Sequence, residues 1–66
     1  IFVVPLESSM SKTYRELREW SADQEALLLG FEREGKTDIN PRGRTKIVKG
    51  DKLIFVATKR PDCRFS

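Results

Sequence analysis

Sixty-six residues with one cysteine, no histidine and a net charge of +3 make one small domain that must hold together without an internal disulfide or a histidine-bearing zinc site. No stretch approaches the roughly 20 apolar residues of a membrane span, and the missing histidine also removes the commonest acid–base catalyst. A chain this short buries only about 60% of its unfolded surface, so good packing or an oligomer has to supply its stability.

The chain opens on Ile1-Phe2-Val3-Val4 instead of Met, as expected of a piece of a longer polypeptide. Ile1–Leu6 is β-branched and aromatic and reads as a strand, with Pro5 placing it at a sheet edge or a strand end. Glu7-Ser8-Ser9 breaks it. Thr13-Tyr14-Arg15-Glu16 has the spacing of a capping box, with Ser11 as the competing N-cap, and opens a helix of at most three turns. Tyr14, Leu17 and Ser21 share one face, Trp20 lies beside it, and Arg15 and Glu19 are spaced as an i,i+4 charge pair. Such a helix is too short to stand alone in water and has to pack on a sheet.

Ala26–Phe31 is a continuous apolar run, and the Gly30 inside it and the charged residues after it favour a buried strand over a helix. Glu34-Gly35-Lys36 reads as a tight turn and Thr37–Ile39 as a short returning strand. Asn40-Pro41-Arg42-Gly43 is a loop in which Gly43 can take positive φ. Thr45–Val48 is extended, Lys49–Lys52 is a turn, and Leu53–Ala57 is the strongest strand pattern in the chain. The order predicts an α+β fold: a small two-layer sandwich, one short helix on a mostly antiparallel sheet of four to five strands, β-α-β-β-β. Residues 1–58 form this domain, and residues 59–66 a polar, flexible tail.

Charge is divided along the chain. Residues 1–34 carry four basic and seven acidic side chains; residues 35–66 carry nine and three. The basic half suggests an anion-binding surface or a solvated strand face. The loop Asn40-Pro41-Arg42-Gly43-Arg44 is the best candidate ligand site, because arginine offers a bidentate fork to phosphate; Asn40, Arg42 and Arg44 are its candidate residues. A solvated basic loop is the plainer alternative. Gly35, Gly50 and Asp51 read as turn residues, with Asp51 bonding to its own backbone. Arg33, with Glu32 and Glu34, could form an interface charge set; exposed strand-end charge of small energetic weight is the plainer alternative. Glu32, Glu34, Asp38 and Asp51 could offer oxygen to a hard cation but lack EF-hand spacing, so no metal and no cofactor are expected. Cys63, beside Lys59, Arg60 and Arg64, reads as a bystander thiol. No nucleophile–base pair or phosphate-binding glycine motif is present, so the chain does not read as an enzyme.

Two segments together carry a resemblance. One is Lys12-Thr13-Tyr14-Arg15-Glu16-Leu17 followed by an apolar strand ending in Gly30-Phe31-Glu32-Arg33-Glu34-Gly35. The other is Asn40-Pro41, a spacer, and Lys49-Gly50-Asp51-Lys52-Leu53-Ile54-Phe55-Val56-Ala57. Over residues 1 to 58 the chain resembles the RCK C-terminal (TrkA-C) domain of potassium channels and cation transporters. That family has a G-K-T-L-x-E-L helix start, a strand ending R-x-G, a proline, and a closing G-D-x-L strand. The chain departs from it in having Ser11 before Lys12-Thr13 and Asp23-Gln24-Glu25 where a Gly-rich approach is usual.

The resemblance implies a regulatory, ligand-sensing domain on the cytoplasmic side of a membrane protein, coupling ligand binding to gating of ion transport. It implies a homodimer, joined through apolar surface on the helix side or an exposed strand edge, and a parent channel or transporter with an adjacent RCK N-lobe. The ligand would be a nucleotide, a cyclic dinucleotide or a cation. The alternative is a small basic nucleic-acid- or protein-binding module. The sparse aromatics of the basic half, Phe55 and Phe65, speak against a base-stacking platform, so nucleic acid is not the expected partner.

Overall fold

The computed structural model describes residues 1–7 and 12–61; the readings that fall on Ser8, Ser9, Ser11 and Cys63 lie outside them. The elements are β1 (Phe2–Pro5), β2 (Lys12–Thr13), α1 (Tyr14–Asp23), β3 (Ala26–Arg33), β4 (Lys36–Ile39), β5 (Lys46–Ile47) and β6 (Lys52–Ala57). Four strands form an antiparallel sheet in the order β1-β6-β3-β4, and β2 pairs with β5 in a second, two-stranded ladder. One helix lies on one sheet face, so the fold is the expected α+β sandwich.

Alternation builds the layers. Leu53 and Phe55 of β6 point inward with Val4, Leu28 and Phe31, and Tyr14 and Leu17 of the helix close over them. Leu6 and Ile47 seal the end of this core, and Trp20 meets Phe55 edge-on at 6.2 Å between ring centroids. Each fully buried side chain of this size contributes about 1.5–3 kcal/mol, which is where a domain without cross-links finds its stability.

The helix begins as the spacing predicts. Thr13 is the N-cap: its Oγ1 accepts from the Glu16 N–H, and the Glu16 carboxylate accepts from the Thr13 N–H at 2.9 Å. Its exit is strained. Gln24 caps the helix and Glu25 turns out at φ 55°, a left-handed position usually given to glycine. The expected Arg15–Glu19 pair is not among the ion pairs formed; Arg15 lies instead along Gly43.

Pairing of β3 with β6 slips between Leu28 and Gly30, so β3 carries a bulge at Leu29. The bulge leaves carbonyls to satisfy, and two distant groups do so: Tyr14 Oη donates to Leu28 O at 2.8 Å and Asn40 N–H to Leu29 O at 2.7 Å. Gly30 sits where β4 presses close. A Cβ there would run into the Asp38 carbonyl and lie 2.9 Å from Ile39 Cα.

The two-residue ladder of β2 and β5 was not expected at Lys12–Thr13. It exists because the loop after β4 folds back under the helix start. Outside the core, the helix turns a polar face to solvent through Arg15, Glu16, Arg18, Glu19 and Asp23. Of the exposed large apolar side chains, Val3, Leu27, Ile39 and Val56 stand on strands of the sheet, Ile1 precedes β1, and Val48 follows β5.

Candidate functional site

Two charged arrangements stand out. The first joins the two segments that carry the resemblance. Arg33, at the end of β3, places Nε 2.8 Å from Asp51 Oδ1 and one terminal nitrogen 2.7 Å from Oδ2, a bidentate fork. The same guanidinium donates to Lys46 O at 2.9 Å, and Asp51 Oδ2 also accepts the Val48 N–H at 2.9 Å. Asp51 is 2% exposed. The Arg33 fork holds its carboxyl below the usual carboxylate range, against the opposing effect of burial, and the Val48 N–H adds to the lowering. Asp51 does keep the turn role read from the sequence. Arg33 is exposed as expected, with 44% of its side chain accessible, but it is partnered: it ties the β3–β4 hairpin to the turn before β6 and lies 5.1 Å over the Phe31 ring. Gly35 and Gly50 occupy φ 79° and 97°, as their turn roles require.

The second arrangement is a hollow of about 210 Å³ at the helix start, lined by Thr13, Arg15, Gly43 and Arg44. Residues 42–45 run beneath the helix and cap it with carbonyls. Tyr14 N–H donates to Thr45 O at 2.8 Å and Arg15 N–H to Gly43 O at 2.9 Å, while Thr45 N–H closes on Arg42 O. With Glu16 N–H on Thr13 Oγ1, the first three helix amides are already bonded. The amides of the helix start are therefore not free for an anion; the charged side chains that line the hollow are Arg15 and Arg44.

Of the three residues expected here, Arg44 lines the hollow, while Arg42 and Asn40 do not. Asn40 takes φ 54° and closes the β3–β4 ladder, a backbone task that asparagine tolerates well. The positive φ expected at Gly43 therefore falls on Asn40. Gly43 serves by lacking a Cβ, which would crowd Arg15 Nε at 3.1 Å. Helix spacing alone pairs Arg15 with Glu19; only the tertiary contact of helix and loop brings it beside Arg44.

The hollow is smaller than the roughly 300 Å³ of the smallest drug-sized pockets, so it suits a phosphoryl group and not a whole nucleotide. Among the described residues no cluster of three or more acidic or sulfur side chains is placed to hold a metal ion. Phe55, Tyr14 and Phe31 are buried. No described helix is long and apolar enough to cross a membrane. No family model matches the chain, and no curated protein or solved structure matches it.

Proposed function

We propose that the chain is a regulatory domain of the RCK C-terminal kind, which senses a ligand, dimerises and couples both to gating in a potassium channel or cation transporter. The observation that carries this is the Arg33–Asp51 fork. The arginine comes from the strand-and-turn element of the resemblance and the aspartate from its Gly-Asp-x-Leu element, 18 residues apart, and the two meet in one bidentate, half-buried clasp. Motif residues that make a mutual contact support reading both segments as one pattern.

The ligand half of the reading places a phosphate group between Arg15 and Arg44, with the rest of the ligand outside the hollow. Such a ligand acts on gating only by differing in affinity between two arrangements of the assembly.

Thermal shift tests it with inorganic phosphate, ATP, a cyclic dinucleotide, K⁺, Na⁺ and Ca²⁺ at millimolar concentration. A phosphate-bearing compound should raise the melting midpoint by about 10 °C or more, as saturation at about 100 times Kd adds about 2.7 kcal/mol. Arg15→Ala combined with Arg44→Ala should abolish the shift, and Arg42→Ala should reduce it less. No shift with any phosphate compound, or one indifferent to Arg15 and Arg44, would sink the ligand half.

A further inference from the structure

The sheet face away from the helix is apolar and open. Register places Val3, Ile54, Gly30 and Ile39 in one row across the four strands, with Val56 and Leu27 side by side in the next. Ile1 precedes β1 at the Val56 end and is 84% exposed; Leu27 is 56% and Ile39 57% exposed. The third row holds Pro5, Lys52, Glu32 and Thr37, and its two charges are opposite and paired, Lys52 Nζ to Glu32 Oε2 at 3.7 Å. On a chain of net charge +3, this face carries none.

We propose that this face packs against the same face of a second copy of the chain. The pattern is self-complementary. A twofold axis parallel to the strands and midway between the central strands β6 and β3 exchanges β6 with β3 and β1 with β4. Lys52 of each copy then faces the other's Glu32, Val3 faces the other's Ile39, and Val56 the other's Leu27. Ile54 lies over the other copy's Gly30. Two sheets packed this way form an aligned sandwich about 10 Å between layers. Neutrality matters as much as apolarity: two basic molecules meet here without like charges opposed.

The face is small for an interface. Four strands at about 4.8 Å spacing make a face roughly 20 Å on a side, so a pair buries on the order of 1,000 Å², the lower end for a specific interface. Area alone does not fix affinity, so association is followed over a wide concentration range. The proposal rests on the dimerisation half of the reading above and not on its ligand half.

Sedimentation equilibrium from about 5 µM to 1 mM tests it. The wild-type chain should move from 7.6 kDa toward twice that mass. Leu27→Asp, on an exposed position, should stay monomeric with an unchanged circular-dichroism melt. Lys52→Glu and Glu32→Lys should each weaken self-association about tenfold, because each opposes like charges across the twofold. Mixed in equal amounts, these two variants should associate as well as wild type, since every cross-interface pair is then opposite in sign. A role of Lys52 and Glu32 confined to one chain gives no rescue on mixing. A wild-type chain that is monomeric at 1 mM overturns the proposal. So does Leu27→Asp protein that dimerises like wild type, which would move the dimer to another surface and leave the dimerisation reading standing. Phosphate binding by monomeric Leu27→Asp protein would leave the ligand half intact.

Discussion

At the scale of single residues, Asp51 has the most to lose. Its carboxylate is buried, and its three hydrogen bonds come from the Arg33 fork and the Val48 N–H. Arg33→Ala removes the fork and leaves a buried charge, at a cost of about 2–3 kcal/mol given that the guanidinium is partly in solvent. Urea unfolding at pH 7 measures this, and Asp51→Ala should lose a similar amount. The pH dependence follows from the lowered carboxyl. A group that ionises more readily folded than unfolded stabilises the fold above its unfolded value, near pH 4, and that contribution fades as pH falls through its folded value. The wild-type urea midpoint should therefore drop as pH falls below about 4. In Asp51→Asn that drop should be smaller, from a lower starting stability. An equal drop in both proteins would assign the acid sensitivity to other carboxylates.

At the scale of elements, the helix exit and the β3 bulge are the exposed weaknesses. Glu25 bears a left-handed backbone with a side chain that gains nothing from it. Glu25→Gly removes that cost, and after the extra freedom glycine has when unfolded, about 0.5–1 kcal/mol should remain, or several degrees in Tm by calorimetry. Gly30→Ala runs the other way. Its Cβ meets the β4 backbone, which cannot yield without losing the β3–β4 ladder, so several kcal/mol should be lost together with hydrogen-exchange protection along β4.

These two glycine questions also mark what the sequence could carry. The capping box, the apolar strand with its following turn, and the Leu53–Ala57 strand rest on local spacing, and each lies where its spacing puts it. Whether Gly30 breaks a strand or lets a neighbour approach depends on a strand from elsewhere. The same holds for Arg33, whose partner is 18 residues away, and for Arg15, which meets Arg44 only through the folded loop. Asn40, Arg42 and Arg44 were grouped by adjacency in sequence. Backbone geometry separates them, because Asn40 is committed to ending a ladder and Arg42 lies beyond the hollow.

At the scale of the whole molecule, a domain with one helix over a four-stranded sheet leaves half its sheet surface without a second layer. The proposed self-association by the open face would make folding and assembly one equilibrium, so the melting midpoint should rise with protein concentration. Calorimetry at 20 µM and 1 mM should show that rise for wild type and none for Leu27→Asp. The Arg33–Asp51 fork acts at the same scale, since it closes a loop of the chain as a covalent bridge would. Unlike a bridge made of sulfur, it asks nothing of the surrounding thiol–disulfide balance. A reducing and an oxidising compartment leave it equally intact, whereas acid opens it, so this fold carries a fastener that is blind to redox and sensitive to protons.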